Sequence, residues 1–132
     1  MPSRIKTTPD PLEPYKISQG FEVGDLVFLS GQAAIDSDGN LVGVDDFNAQ
    51  AEQVMCNIAD VLAVCGATLD NIAKVTIYLT DMANFEHVLE LRERYFKAPY
   101  PADTIVEVSL LALPELMIEI DVIASKTDIR SE

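Results

Sequence analysis

The segment Ile72-Ala73-Lys74-Val75-Thr76-Ile77-Tyr78-Leu79-Thr80 decides the fold, because it separates two stretches with helical periodicity. Val75, Ile77 and Leu79 alternate with other residues, and this period of two predicts a strand with one face in the core. A strand between two helices requires those helices to cover a sheet, so the rest of the chain is expected to supply further strands.

A helix is predicted on each side of this strand. The first begins after Asp45 and Asp46, which can cap it, and ends at Gly66; the second begins at Asn84 and is stopped by the prolines that follow it. The apolar stripes expected to face the core are Phe47, Ala51, Val54, Ile58, Val61, Leu62 and Cys65 in the first helix, and Phe85, Val88, Leu91 (or Leu89) and Tyr95 in the second.

Five more strands are predicted from alternation and turn residues. Three precede the first helix, at residues 4–8, 16–22 and 26–35, and two follow the second, at residues 104–110 and 117–124. We expect the last two to form a hairpin around Leu113 and Pro114. The order β-β-β-α-β-α-β-β in one domain of residues 1–132 predicts an α+β or α/β two-layer sandwich.

One face of the last strand is unusual. Ile118, Ile120, Val122 and Ala124 point one way, whereas the opposite face mixes apolar and acidic residues. Two helices can cover only one side of a sheet, so the mixed face is expected to meet another copy of the chain.

Composition excludes several functions. The net charge of −13 disfavours nucleic-acid binding, which depends on Lys and Arg. No apolar run is long enough to span a membrane or to form a secretory leader, which predicts a cytoplasmic protein that does not bind membranes. Cys56 and Cys65 are too far apart on one helix to form a disulfide, and we interpret them as reduced core thiols.

The chemistry that remains rests on a few polar residues. The single histidine, His87, excludes a histidine metal cluster. No nucleotide-binding glycine motif is present, so neither a bound dinucleotide nor a Walker-type ATP site is expected. Glu119 interrupts an apolar strand and is either a general acid or base or a structurally paired glutamate. Ser30 and Gly31 end an apolar strand, either at a ligand or at a simple terminus. Tyr15 follows a proline-rich segment and either closes a pocket or packs on the surface.

Residues 15–124 resemble the RidA/YjgF family, also called the L-PSP family. The most specific similarities are Leu26-Val27-Phe28-Leu29-Ser30-Gly31-Gln32, Gln50-Ala51 with Asn57-Ile58, Ala73-Lys74-Val75-Thr76-Ile77-Tyr78-Leu79-Thr80-Asp81-Met82, Tyr100-Pro101-Ala102, Val106-Glu107-Val108 and Ile118-Glu119-Ile120. The resemblance implies a chorismate-mutase-like α+β fold assembled as a homotrimer, with three clefts between subunits. It also implies hydrolysis of enamines and imines, such as 2-aminoacrylate, without metal or cofactor. The family's tyrosine, serine and water-orienting glutamate match Tyr15, Ser30 and Glu119.

One position departs from the family pattern. The deaminases carry an arginine after Pro-Ala that holds the substrate carboxylate, and here that residue is Asp103; the cysteine found two residues later in many members is Ile105. An anion in place of a bidentate cation should repel a carboxylate substrate. We therefore expect Ser30, Gly31, Asp103 and Ile105 to line the substrate site of a protein that does not use 2-aminoacrylate.

Three hypotheses follow. The first is a hydrolase acting on a neutral or cationic imine, enamine or related metabolite, with Glu119 activating water and Asp103 pairing with an amine. The second is a non-catalytic trimer that binds a small metabolite in the same clefts. The third, a ribonuclease, is disfavoured by the acidic charge. In the predicted hairpin register, Asp103 and Glu119 lie too far apart to share one site unless a neighbouring chain supplies one of them.

Overall fold

A computed structural model describes residues 2–130. Within this range the chain forms seven strands and two α-helices, which confirms the predicted α+β class and order, except that the third predicted strand is interrupted at Ser30 and Gly31. The elements are β1 (Ser3–Ile5), β2 (Gly20–Val23), β3 (Leu26–Leu29), β4 (Gln32–Ala33), α1 (Phe47–Val64), β5 (Ile72–Leu79), α2 (Phe85–Tyr95), β6 (Ala102–Glu107) and β7 (Ile118–Ser125). No helix in the described range is long and apolar enough to cross a membrane.

All seven strands belong to one mixed sheet. Its order is β1-β2-β3-β7-β5-β6, and β4 pairs with β7 beyond the end of β3. β5 runs parallel to β6 and antiparallel to β7. Strands β5 and β7 are thus paired on both sides, and their alternation of buried and half-buried residues places one face of each in the core.

The predicted hairpin between the last two strands is wrong. β5 lies between β6 and β7, so that Val75 pairs with Asp103 on one side and Tyr78 pairs with Glu119 on the other. The reason is the helix between β5 and β6, because a strand–helix–strand unit brings its two strands together in parallel. Residues 108–117 then return the chain to the far side of β5.

The core lies between the sheet and α1. Asp46 caps α1 by accepting a hydrogen bond from the backbone N–H of Ala49, and Gly66 follows the helix with a φ of +77°, as its position after the apolar stripe predicts. Six of the seven residues predicted for the α1 stripe are buried; Cys65 is half-buried. The cysteines are free, but the core-thiol interpretation is wrong, since Cys56 is exposed on the outer side of α1.

Gln50 is a buried polar residue that the stripe did not predict. Its amide nitrogen donates to the carbonyl oxygens of Gly43 and Glu115, and its amide oxygen accepts the backbone N–H of Met117 at 2.8 Å. The fully buried amide is therefore satisfied. These bonds fix α1 against the segment that leads into β7.

The stripe prediction fails in part for α2. Val88 and Leu91 are buried, but Phe85 is 38% exposed and Leu89 is 44% exposed. Among the described residues β6 is the last strand on this side of the sheet, so none of their other strands lies beyond it to cover this side of the helix. The uncovered side chains border a groove between α2 and β6.

The sheet face away from the helices is open. An apolar patch on it consists of four side chains that are 41–45% exposed, together with the half-buried Ile123: Phe21, Val23, Leu26, Phe28 and Ile123. Phe21 pairs with Phe28, and Phe28 pairs with Ile123, so the patch is continuous across β2, β3 and β7. A contiguous apolar surface of this kind is typical of an interface with another chain.

Candidate functional site

Glu119 lies on the open face, between two buried residues of β7. Ile118 and Ile120 point into the core, and the Glu119 side chain is half-buried on the other side of the strand. Burial raises the pKa of the Glu119 carboxyl, and the negative charge of Asp121 raises it further. Glu119 forms no ion pair within residues 2–130, so its carboxyl holds a proton more readily than an ordinary glutamate does and can act as a general acid or base.

Gly31 makes room for the Glu119 carboxylate. A Cβ atom on Gly31 would overlap Oε2 of Glu119 and would lie 2.9 Å from its Cδ. The break between β3 and β4 at this point therefore lets the acid pack directly against the main chain. Glycine is required at residue 31 for this close approach rather than for an unusual φ angle.

Ser30 is adjacent, but its donors are already used. Its hydroxyl donates to the carbonyl oxygen of Ser18 at 2.5 Å, and its backbone N–H donates to the carbonyl oxygen of Gln19 at 2.9 Å. The hydroxyl proton and the backbone N–H of Ser30 are therefore both engaged within the chain. The hydroxyl oxygen can still accept a hydrogen bond from a ligand.

Tyr15 lies at the end of a short 3₁₀ helix, Glu13–Tyr15. Pro14 stands in the first turn of this helix, where a missing N–H costs nothing. The next strand consequently begins at Gly20 rather than at Lys16. The Tyr15 side chain is 73% exposed, and its hydroxyl makes no hydrogen bond to another residue in the range 2–130.

Tyr78 and Asp121 complete the polar part of the open face, and sequence reasoning gave them no role. The Tyr78 hydroxyl donates to Oδ2 of Asp121 at 3.0 Å, and this bond is the main cause that raises the pKa of Tyr78. Tyr78 is also the register partner of Glu119. Alternation in β7 does place Asp121 beside Glu119, but only the β5–β7 register shows that Tyr78 joins them.

Asp103 and Ile105 lie elsewhere, in the groove between α2 and β6. The groove has a volume of about 560 Å³. Arg92 from α2 holds Asp103 in a bidentate pair: Nε donates to Oδ2 at 3.0 Å, and Nη2 donates to Oδ1 at 2.9 Å. The Arg92 guanidinium also lies 5.8 Å from the centre of the Phe85 ring. Nothing in the spacing of the sequence indicated that Arg92 would reach position 103.

The structure brings Ser30, Gly31 and Glu119 together but separates them from Asp103. Asp103 pairs with the core residue Val75 and points toward the helices, whereas Glu119 pairs with Tyr78 and points to the open face. Two strand spacings and three residues separate their Cα atoms, which amounts to about 14 Å in a regular sheet. The two acids thus lie on opposite faces of the sheet of one chain.

No group of three or more His, Cys, Asp or Glu side chains in the described part of the chain could hold a metal ion.

A profile of the family described as endoribonuclease L-PSP matches residues 5–126. The chain belongs to the RidA/YjgF family. A RutC family protein of Pyrococcus abyssi is 37% identical over 118 residues, which cover 89% of this chain and 91% of that protein.

Two more members of the RidA/YjgF family are similar over most of the chain. The chloroplast protein of Arabidopsis thaliana named reactive intermediate deaminase A is 37% identical over 117 residues, which cover 89% of this chain and 61% of the plant protein. The crystal structure of a Rid family protein of Yersinia pestis superposes with a TM-score of 0.87 at 37% identity, covering 95% of this chain and 99% of that one.

Proposed function

We propose that this RidA/YjgF member hydrolyses a small imine or enamine to the corresponding carbonyl compound and ammonia, in clefts between the subunits of a homotrimer. The observation that carries the proposal is the half-buried Glu119 carboxyl packed on Gly31, because burial and Asp121 raise its pKa without a neutralising cation. The plant relative's name, reactive intermediate deaminase, agrees with this chemistry.

Glu119 acts on water in the proposed reaction. An enamine reacts as its imine tautomer. The Glu119 carboxylate takes one proton from a water molecule while the water oxygen bonds to the carbon of the C=N group, and it passes that proton to the nitrogen, which gives a neutral carbinolamine. Glu119 then accepts the hydroxyl proton of the carbinolamine and delivers it to the nitrogen as the C–N bond breaks, so that ammonia and the carbonyl compound leave. Tyr15 closes the cleft, and Ser30 accepts a hydrogen bond from the substrate.

Two features favour a cleft between chains. Asp103 and Glu119 face opposite sides of one sheet, so they contact one small substrate only if a second chain brings its groove to the first chain's open face. The apolar patch supplies the surface on which chains of the single domain would meet. Assembly as a trimer follows from the family resemblance.

The proposed substrate is not 2-aminoacrylate. Residue 103 is an anion held by Arg92 and offers no cation for a substrate carboxylate. We expect a related imine or enamine without a carboxylate to be turned over faster.

The test is release of ammonia from a panel of imines and enamines with and without a carboxylate, generated in situ. Glu119→Gln should lower turnover by about 10²–10⁴-fold, because it removes the proton acceptor. Glu86→Gln, an exposed carboxylate on α2, is the control and should leave turnover unchanged. Equal turnover by wild type and Glu119→Gln would refute the proposed mechanism.

The alternative is a trimer that binds a small metabolite without converting it. The internal bonds of the Ser30 donors and of Asp103 favour it, since polar groups expected to meet substrate are already satisfied within the chain. Stabilisation by a compound that is never converted would support this alternative over hydrolysis.

The description of the matched family mentions a ribonuclease, and we infer that this chain does not bind RNA. A net charge of −13 repels polyanions. A gel shift with single-stranded RNA at ~0.15 M salt is expected to show no complex, and a clear complex would contradict the inference.

A further inference from the structure

The groove between α2 and β6 contains opposite charges that cancel. Arg92 and Asp103 face each other across it with about one fifth of each side chain exposed, and both Asp103 oxygens are engaged by Arg92. The guanidinium uses only Nε and Nη2 in this pair. Nη1 makes no hydrogen bond within residues 2–130, so one edge of the guanidinium stays available.

The walls of the groove are largely apolar. Phe85, Leu89 and Phe96 line it from the helix, and Tyr100, Pro101 and Ile105 line it from the strand side. Glu93 also borders the groove, but it is exposed and therefore screened by water. A neutralised ion pair set among aromatic and aliphatic side chains suits an uncharged ligand with an apolar substituent better than an ion.

We propose that the Arg92–Asp103 pair sets the charge preference of this groove, which accepts uncharged small molecules because each ion masks the other. Removing the charge of one partner leaves the other free to bind a ligand of opposite charge. Without the Asp103 charge, Arg92 binds a carboxylate through its fork of N–H groups; without the Arg92 charge, Asp103 binds an ammonium group. The assignment of the groove to the substrate rests on the proposed function.

The pair could instead serve only to fasten α2 to the sheet edge. Both roles predict that single substitutions weaken the fold slightly, but only the proposed role predicts that the two substitutions change ligand preference in opposite directions. A measurement that compares ligands of one shape and three charges therefore separates the two roles.

The experiment uses benzamide, benzoate and benzylammonium as probes, which share an aromatic ring and carry charges of 0, −1 and +1. Affinities are measured by NMR titration with wild type, Asp103→Asn, Arg92→Gln and the double variant. We expect wild type to prefer benzamide, Asp103→Asn to gain about tenfold for benzoate, and Arg92→Gln to gain about tenfold for benzylammonium, the size of one partly exposed charge-assisted contact. The double variant should return to the wild-type order.

Several outcomes overturn the inference. An unchanged order of the three probes in all four proteins means that the pair does not control charge preference. Shifts outside Phe85, Leu89 and Ile105 mean that the probes bind elsewhere, and absence of binding in every protein means that the groove is not a ligand site. None of these outcomes affects the Glu119 test, which measures ammonia release, so failure of this inference is distinguishable from failure of the proposed function.

Discussion

Two carboxylates of the same sheet have opposite surroundings. Asp103, on the helix side, is held by both oxygens to Arg92, while Glu119, on the open face, has another acid, Asp121, as its charged neighbour. The first is neutralised and fixed, and the second is half-buried with a raised pKa. The difference arises because α2 can extend an arginine over the edge strand β6, whereas no helix formed by residues 2–130 covers the open face.

Asp103 on the helix side and Glu119 on the open face are therefore suited to different functions. A paired acid contributes geometry and charge balance, whereas a half-buried acid with a raised pKa and no ion partner within residues 2–130 is suited to accept and release a proton. The open face adds the apolar patch, which gives it a second task, association with another chain. Three predictions test these differences, beginning with the largest expected effect.

Self-association should respond differently to a charge introduced on the open face and to one introduced on the outer surface of α1. Phe28 in the apolar patch is 41% exposed, and Val64 at the end of α1 is 51% exposed. We expect Phe28→Asp to weaken self-association by at least about 100-fold, because assembly would bury an unpaired carboxylate, and Val64→Asp to leave it unchanged.

Light scattering over a range of protein concentrations and salt checks this prediction. Wild type should remain associated and become more so as salt screens the −13 charge on each chain. A wild-type monomer at every concentration and salt level would contradict the role assigned to the open face.

Gly31→Ala tests the position of the acid on the open face. The new Cβ would displace Oε2 of Glu119, and a shift of about 1 Å can cost up to ~100-fold in turnover. Gly39→Ala is the matched control, since a Cβ there meets nothing within 4 Å although the φ of +85° strains it. Ammonia release and circular dichroism are compared for both; unchanged turnover in Gly31→Ala would show that Glu119 does not need this support.

Local patterns predicted most of the fold because they report which face of an element is buried. The stripe of α1 and the alternation in β5 and β7 agree with the burial found, and Asp46 and Gly66 begin and end α1 where expected. The pairing of β6 depended on which strand the chain returns to after α2, and alternation within β6 is the same beside β5 or β7.

The candidate site shows the same limit. Glu119 is visible in the sequence as an acid in an apolar strand, and Gly31 as the end of another strand, but their contact depends on the break between β3 and β4. The pairing of Arg92 with Asp103 could not be predicted from the sequence, because Arg92 lies on a helix rich in charged residues, where an arginine is ordinarily solvated. Only the parallel pairing of β6 with β5 places Asp103 within its reach.

The smallest expected effect concerns stability and pH, and it sharpens the contrast between the two acids. Because the folded-state pKa of Glu119 is raised above its ordinary value of 4.5, the folded protein binds this proton more tightly than the unfolded chain does. Its contribution to stability is therefore favourable at low pH and is lost as pH rises through the raised pKa. Glu119→Gln, which stays neutral, should have a higher Tm than wild type at pH 7 and a similar Tm below pH 4.5.

Thermal unfolding between pH 4 and 8 measures this difference. Glu86→Gln, which replaces an exposed carboxylate on α2, is measured in parallel as the control for the substitution itself. Asp103→Asn should behave in the opposite sense at pH 7 and lower Tm slightly, because it breaks a partly exposed pair worth about 1 kcal/mol at most. If Glu119→Gln also lowers Tm at pH 7, the Glu119 carboxylate is a stabilising partner in the folded protein, and the two acids of the sheet play the same structural part.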